Sequence, residues 1–179
     1  MNDSILKWLS NTTMSINVYT PRLLIRYIGP HETEAYGRIN ELLGTPEDWY
    51  NDWAEWSTRG ATQLFIIQRG FRSPNTNAPV VAEGTVARFI KIVPPMNEIS
   101  FRIHPFFRGQ GLMKEALRGL FNYLFQTYPN YQVYIETRRD NLPVIRMMEG
   151  FGLQGQNGNW SEVGSVVWRF GAAAWMNAR

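Results

Sequence analysis

The stretch Arg108-Gly109-Gln110-Gly111-Leu112 decides the fold, because it joins a predicted strand to a predicted helix. Its two glycines let the backbone turn sharply and approach a ligand closely. The free N–H groups and the dipole of the following helix favour an anion at the same place. The stretch lacks the Lys-Ser/Thr pair of a P-loop and the third glycine of a dinucleotide fingerprint. It therefore predicts a backbone anion site, although a plain tight turn would give the same pattern.

The strand before this turn, residues 98–104, alternates between apolar and polar side chains. Its polar side chains share one face, namely Glu98, Ser100, Arg102 and His104. A central strand between two helical layers is expected to be apolar on both faces. The polar face therefore indicates either a strand that lines a cleft or a half-solvated antiparallel strand.

Working outward, strand and helix patterns alternate along the whole chain. Strands are predicted at 22–28, 64–68, 80–92, 98–104, 131–137, 154–160 and 163–173. Helices are predicted at 4–9, 31–43, 45–58, 109–128 and 141–150. This order predicts an α/β (α+β layered) fold, and the length of 179 residues predicts a single domain over residues 1–179.

The composition excludes several classes of protein. The hydrophobic share of 44% and the aromatic share of 14% predict a packed core rather than disorder. No apolar run is long enough for a membrane span and the first residues do not resemble a secretory leader, so cytoplasm is the expected compartment. The absence of cysteine excludes a disulfide scaffold and a thiolate nucleophile. His31 and His104 have no metal-ligand spacing, so no metal site is predicted.

The charge is distributed unevenly. Residues 1–60 carry eight acidic and five basic side chains, whereas residues 61–179 carry seven acidic and thirteen basic ones. Fifteen of the eighteen basic residues are arginine, which forms forked contacts with phosphate groups. The second part of the chain therefore suits a polyanionic ligand, although chance segregation of surface charge would give the same distribution.

Three segments resemble one known family. Residues 103–112 (IHPFFRGQGL) resemble motif A of the GNAT acetyltransferase superfamily, whose signature is Q/R-x-x-G-x-G/A. Residues 141–153 (NLPVIRMMEGFGL) resemble its motif B, in the form N-x-[AP]-S-I-R-x-x-E-K-x-G-F of the ribosomal-protein-alanine acetyltransferases. Residues 20–26 (TPRLLIR) resemble the first strand of that branch, T-x-R-L-x-L-R. The order and spacing agree, so the resemblance covers about residues 18–173.

The resemblance implies a GNAT fold: a mixed six- to seven-stranded sheet with splayed central strands, flanked by helices. Acetyl-CoA would lie in the wedge between strands 98–104 and 131–138. The resemblance further implies that backbone groups of Phe101, Arg102 and Ile103 pair with the pantetheine arm. It implies a pyrophosphate cradle made of Arg108, Gly109, Gln110, Gly111, Leu112 and Met113. Asn141 would lie near the pantetheine, and Arg146 near the phosphates.

Catalysis by this family requires a base that takes a proton from the attacking amine. Glu98 has the family's spacing, ten residues before Arg108, and lies on the polar face of its strand. The alternative is a structural carboxylate that pairs with Arg102 or Arg88. Glu83, on the preceding predicted strand, is the second candidate for the base.

The chain departs from the family pattern at three positions. Met113 stands where motif A usually ends in glycine or alanine, and Val144 stands where motif B often has serine. Met148 stands where other branches place a tyrosine. The family's proton donor for the leaving thiolate therefore cannot be carried over, and Tyr134 and Ser100 are the alternatives within the chain.

The sequence says less about which amine accepts the acetyl group. Tryptophans at 49, 53 and 56 recur at helical spacing beside acids at 48, 52 and 55. This pattern predicts either a core-facing stripe with a solvated acidic face or a funnel that attracts cationic amines.

The resemblance implies an acetyl-CoA-dependent N-acetyltransferase that acts on a primary amine, either a protein N-terminus or a small amine. The alternative is a catalytically weak acyl-CoA-binding regulatory module. Nothing in the chain matches a nucleic-acid-binding motif, so nucleic acid enters only if the amine is carried on tRNA. Trp168 and Trp175 are candidates for the face of a homodimer.

Overall fold

The computed structural model describes residues 17–27, 62–68, 85–93, 97–103, 107–158 and 164–178. Residues 27, 62–68, 85–93 and 102 are described by their backbone alone. The predicted helices at 4–9, 31–43 and 45–58 lie outside the described residues, and with them the tryptophan stripe. Glu83 and His104 also lie outside them.

The described residues form an eight-stranded sheet with the order β1-β2-β3-β4-β5-β6-β8-β7. The strands are β1 (Asn17–Tyr19), β2 (Leu23–Tyr27), β3 (Thr62–Gln68), β4 (Thr85–Val93), β5 (Glu98–Ile103), β6 (Gln132–Arg138), β7 (Gln156–Gly158) and β8 (Ser165–Gly171). The sheet has one strand more than predicted, β1, because three residues are too few to show an alternating pattern.

β5 and β6 run parallel, whereas the other neighbouring pairs in the described sheet are antiparallel. The two strands pair at Glu98 and Tyr134 alone within the described residues. The Tyr134 N–H donates to the carbonyl of Asn97 at 3.3 Å. Beyond this point the strands separate, which confirms the predicted splay and leaves a wedge open toward their carboxyl ends.

Three helices belong to the described residues: α1 (Leu112–Thr127), α2 (Leu142–Glu149) and α3 (Ala172–Asn177). α1 begins three residues later than predicted, because Gly109 and Gly111 have φ values of 74° and 72°. The final predicted strand ends at Gly171 and gives way to α3. Its alanines favour a helix, and the apolar alternation of the preceding residues hid that change.

The core lies around α1, which packs with β1, β2, β6, β8 and α3. α1 buries eight side chains, namely Leu112, Met113, Ala116, Leu117, Leu120, Phe121, Leu124 and Phe125. The Phe121 ring packs edge-on against Phe151, Phe170 and Trp175, with centroid separations of 6.1, 5.2 and 5.2 Å. Trp168 and Trp175 are each 2% exposed. The expectation that these two tryptophans form a dimer face is therefore wrong, because the core already covers them.

Candidate active site

A cavity of about 620 Å³ lies beside the wedge, between the end of β5 and the starts of α1 and α2. Its lining comprises Phe101, Ile103, Phe107, Arg108, Gly109, Gly111, Leu112, Met113, Lys114, Asn141, Pro143, Val144 and Met147. Eight of the eleven residues predicted to bind the cofactor are among them. Segments that are thirty residues apart in the chain thus meet around one space.

The other three predicted cofactor residues lie outside this lining. Gln110 lies in the glycine turn, where its carbonyl accepts a hydrogen bond from Arg22 Nη1 at 3.1 Å. Arg146 is exposed in the last turn of α2. The backbone of Arg102 lies in β5 between two lining residues. Their roles toward a cofactor remain predictions.

The end of the cavity at the glycine turn suits an anion. A Cβ on Gly109 would meet no atom within 4 Å, so the positive φ rather than crowding requires glycine there. Gly111 is the N-cap of α1 and carries no side-chain cap, which leaves the first-turn N–H groups without that partner. Arg108 is exposed beside the turn and Lys114 follows in the first turn of α1. Backbone donors and the exposed Arg108 therefore lie together at this end of the cavity, and Lys114 adds a second cation to the cavity lining.

Lys114 is a lining residue that the sequence patterns did not predict. Its Nζ lies 5.5 Å from the centroid of the Phe151 ring and 2.6 Å from where a Cβ on Gly150 would stand. The side chain therefore lies between the start of α1 and the end of α2. A cation in the first turn of a helix opposes the helix dipole. This unfavourable placement is the feature of the sequence that would have pointed to Lys114 as an anion-binding residue.

The rest of the cavity is largely apolar. β5 contributes Phe101 and Ile103, and α2 contributes Val144 and Met147. Met148 instead is fully buried in the core. The position where other branches of the family carry a tyrosine is thus a packing position in this chain, which explains why an apolar side chain occupies it.

Asn141 fixes the start of α2 to the end of β6. Its side-chain amide donates to Thr137 Oγ1 at 2.8 Å. Its backbone carbonyl accepts hydrogen bonds from the backbone N–H groups of Val144 and Ile145 at 3.1 and 3.2 Å. The side chain holds two elements together, so the apolar wall of α2 is set at a defined position over the wedge.

A different set of side chains faces the other side of the sheet. Val133 and Ile135 are buried against the helices, so Tyr134 and Glu136 point the opposite way. Glu98 shares their face, because paired residues of neighbouring strands point to the same side. Phe101 is three residues further along β5 and points to the first cavity. The wedge is therefore bordered by an apolar cavity on one face and by a carboxylate and a phenol on the other.

The phenol of Tyr134 is held by its neighbours. Its hydroxyl donates to Glu136, whose other carboxylate oxygen accepts from Ser165 Oγ. The Arg169 guanidinium lies 5.1 Å from the centroid of the Tyr134 ring. Burial, followed by the hydrogen bond to Glu136, raises the pKa of Tyr134 to about 12. The hydroxyl therefore stays protonated near neutral pH.

A second cavity of about 420 Å³ lies on this face. Its lining comprises Tyr134, Glu136, Gln156, Asn157, Gly158, Val167 and Arg169. These side chains are mostly polar and include both charges. The sheet thus has an apolar and cationic cavity beside the wedge on one face and a polar cavity of mixed charge over β6, β7 and β8 on the other.

The described residues include neither a membrane-spanning helix nor a cluster of metal ligands. Among them, no helix has both the length and the apolar composition needed to cross a membrane. The same residues contain no group of three or more metal-ligating side chains. The cytoplasmic location and the lack of a metal stay predictions.

Solved structures with the same fold are numerous. A GNAT-family acetyltransferase from Bacillus anthracis superposes with a TM-score of 0.63 at 16% identity, over 87% of this chain and 98% of that chain. RimL, a ribosomal L7/L12 alpha-N-protein acetyltransferase, superposes in its apo form with a TM-score of 0.65 at 12% identity, over 89% and 96%. Its complex with coenzyme A gives a TM-score of 0.64 at 12% identity, over 89% and 99%. At these identities the likeness concerns the fold.

The family of this chain is assigned from its sequence. No curated protein sequence matches the chain. A family model described as an acetyltransferase (GNAT) domain matches residues 22–154, which include the glycine turn, β5, β6 and α2. Acetyl transfer from acetyl-CoA is the reaction of this family, and the cavity at the glycine turn fits its polyanionic donor. The chain therefore belongs to the GNAT acetyltransferase family and is an N-acetyltransferase.

Proposed function

We propose that this chain binds acetyl-CoA in the first cavity and transfers its acetyl group directly to a primary amine that approaches from the opposite face of the sheet. The observation that carries this proposal is the single pairing of β5 with β6 at Glu98 and Tyr134. It leaves a wedge through which groups on the two faces can meet.

The charges and shape of the first cavity support acetyl-CoA as the donor. The pyrophosphate suits the first-turn N–H groups of α1 and the nearby Arg108, and Lys114 is a second cation in the lining of the cavity. The pantetheine arm suits the apolar wall and the unpaired edge of β5 beyond Glu98. Asn141 lines the same cavity. The thioester supplies the acetyl group at the inner end of the wedge.

Glu98 accepts the proton of the acceptor amine in this proposal, directly or through one water molecule. Its position supports the role, because it lies at the narrow end of the wedge on the face opposite the first cavity. The backbone N–H groups of residues 101–103 are candidates for stabilising the oxygen that becomes negative during attack. Glu83 remains the second candidate for the base.

The leaving thiolate needs no dedicated proton donor. A thiol of this kind has a pKa of about 8.5, so its thiolate is a tolerable leaving group near neutral pH. Tyr134 is a poor donor, because its pKa is raised to about 12 and its proton is shared with Glu136. Val144 and Met148 cannot donate. We therefore expect transfer without general acid catalysis by these residues.

The second cavity supports a polar, amine-bearing acceptor. Glu136, although hydrogen-bonded to Tyr134 and Ser165, gives this cavity a negative charge, and Gln156 and Asn157 add amide groups. RimL acts on a protein N-terminus, so an exposed peptide N-terminus is the first acceptor to test and a small amine the second. A tRNA-linked amine is the third, since the second part of the chain is basic.

The deciding experiment combines binding with turnover. Acetyl-CoA is expected to raise the melting temperature, and a thiol-release assay over an amine panel is expected to identify the acceptor class. The panel contains peptides with free N-termini, small amines and aminoacyl-tRNA. Binding without thiol release for any amine would favour the regulatory acyl-CoA-binding module. Failure to bind acetyl-CoA would overturn the proposed donor site.

A further inference from the structure

Arg22, just before β2, reaches the glycine turn from a distant part of the chain. Its Nε donates to Glu115 Oε2 at 2.6 Å, and its Nη1 donates to the carbonyl of Gln110 at 3.1 Å. One planar guanidinium thus links the first turn of α1 to the turn that precedes it. Arginine suits this task because its donors are fixed relative to one another.

Glu115 is itself held firmly. Its Oε1 accepts from Thr20 Oγ1 at 2.6 Å and from the Arg22 N–H at 2.8 Å. Its side chain is 17% exposed. Burial alone would raise the pKa of the Glu115 carboxyl, but the hydrogen bonds from Thr20 and Arg22 together hold it below its ordinary value. The carboxylate is therefore charged at neutral pH and anchors the guanidinium.

The bond to the Gln110 carbonyl fixes a peptide that would otherwise rotate easily. This peptide joins Gln110 to Gly111, and Gly109 and Gly111 both have positive φ values. Gly111 gives the backbone unusual freedom on one side of this peptide, and Gly109 gives it to the residue before Gln110. In a planar trans peptide the C=O and the next N–H point in opposite directions. Holding the Gln110 carbonyl on Arg22 therefore turns the Gly111 N–H away from Arg22.

We propose that Arg22 is a positioning residue for the pyrophosphate cradle: anchored by Glu115, it sets the orientation of the Gln110–Gly111 peptide and so preorganises the cradle's backbone donors. The inference rests on the proposed function, since it assigns the glycine turn to the pyrophosphate. It gives a task to the Thr20-Pro21-Arg22 segment, which the proposed function leaves without one.

Two alternative roles for Arg22 lead to different binding behaviour. If Arg22 acts only as a nearby positive charge, removing the negative charge of Glu115 strengthens binding of an anion. If Arg22 only fastens α1 to β1 and β2, its loss lowers stability without selecting among ligands. α1 also packs closely against this region at a second place: Gly119 lies so near Thr20 that a Cβ on Gly119 would stand 2.8 Å from Thr20 Cγ2. Of the three roles, only positioning predicts that loss of either Arg22 or Glu115 weakens the binding of ligands that carry a pyrophosphate and of no others.

The test measures dissociation constants by calorimetry for coenzyme A and for pantetheine, which lacks the pyrophosphate together with the adenosine 3′-phosphate. The variants are Arg22→Gln, Arg22→Lys and Glu115→Gln. Arg138→Gln is the matched control, because Arg138 is 54% exposed and ion-paired with Asp140, much as Arg22 is with Glu115. Melting temperatures report any loss of folding.

We expect Arg22→Gln and Glu115→Gln each to weaken coenzyme A binding by about tenfold or more, since each breaks a charge-assisted hydrogen bond. Pantetheine binding stays within about twofold of the parent value, because it does not use the cradle. Arg22→Lys keeps the charge but cannot hold both partners, so it behaves like Arg22→Gln. Arg138→Gln binds both ligands as the parent does.

Four results would overturn the proposal. Tighter coenzyme A binding by Glu115→Gln would show that Arg22 acts by charge alone. Equal losses for both ligands, or a lower melting temperature with unchanged affinities, would show a structural role. If the parent protein fails to bind coenzyme A, the proposed donor site itself is wrong. This result differs from the other ones, because it is obtained with the parent protein before any variant is compared.

Discussion

Glu98 lies directly opposite Tyr134 at the narrow end of the wedge between β5 and β6. The two side chains share one face of the sheet, and the charge of Glu98 contributes to the raised pKa of Tyr134, after burial and the Glu136 hydrogen bond. A carboxylate and a neutral phenol therefore stand together where the two faces communicate. The proposed chemistry assigns the proton transfer to the carboxylate alone.

Glu98→Gln is expected to lower turnover by about 10²–10⁴-fold while leaving the affinity for acetyl-CoA unchanged. The amide keeps the shape of the side chain but cannot accept the amine proton. Steady-state thiol release and calorimetric binding check the two parts. Glu149→Gln, an exposed carboxylate at the end of α2, serves as the control. Unchanged turnover per folded molecule would direct attention to Glu83.

Gly111→Asp is expected to abolish the rise in melting temperature that acetyl-CoA produces. The substitution brings a negative charge to the phosphate end and a side chain to a residue with a φ of 72°. Gly111→Ala separates these effects, because it adds only the strain, about 1–2 kcal/mol. The alanine variant should be less stable than the parent but retain part of the thermal shift. An intact shift in the aspartate variant would place the cradle elsewhere.

Val144→Ser is expected to raise turnover with unchanged acetyl-CoA affinity. Val144 lines the first cavity in the first turn of α2, so the substitution adds a hydroxyl to the lining of the proposed donor site. Val144→Ala is the matched control, since it shortens the side chain without adding a hydroxyl. Thiol-release rates at saturating acetyl-CoA compare the three proteins. Equal rates for serine and alanine would mean that another donor already acts or that chemistry is not limiting.

Tyr134 is expected to make stability depend on pH above its ordinary pKa of about 10. The unfolded chain loses this proton near pH 10, whereas the folded protein keeps it until about pH 12. The unfolded state therefore binds fewer protons in this window, so stability falls as the pH rises. The free energy of unfolding of the parent, minus that of Tyr134→Phe, should decline from pH 10 to pH 12. A constant difference would contradict the raised pKa.

Trp175→Ala is expected to destabilise the protein by about 3–5 kcal/mol. Trp175 is 2% exposed, packs against Phe121 and donates its indole N–H to Asn122 Oδ1 at 2.9 Å. Urea unfolding measures the effect. Met176→Ala is the control, because the next residue of α3 is 63% exposed and should change stability little. A small effect of Trp175→Ala would mean that α3 contributes little to the core.

Much of the first cavity could be predicted from the sequence, because local patterns carry the information. The glycines at 109 and 111 adopt the positive φ values that their residue type permits. The alternation of residues 98–104 correctly places Phe101 and Ile103 on the face of Ile99. Motif B correctly brings Asn141 to the same space. Each of these inferences needed only a short window of sequence.

Other features depend on contacts between distant residues. The bond from Arg22 to Gln110 spans 88 positions, and the bond from Thr20 to Glu115 spans 95. The burial of Trp168 and Trp175, which were expected on a dimer face, follows from packing against Phe121 and its neighbours. No periodicity within one element reports such contacts.

The sequence by itself determined the family, the glycine turn and the polar and apolar faces of β5, because backbone freedom and side-chain alternation are local properties. The tertiary structure alone decided which residues share a space. It placed Lys114 beside the cavity, Met148 in the core and Arg22 on the glycine turn. Those placements follow from the docking of α1 against β1, β2, β6 and β8, which depends on the summed burial of side chains from all of these elements.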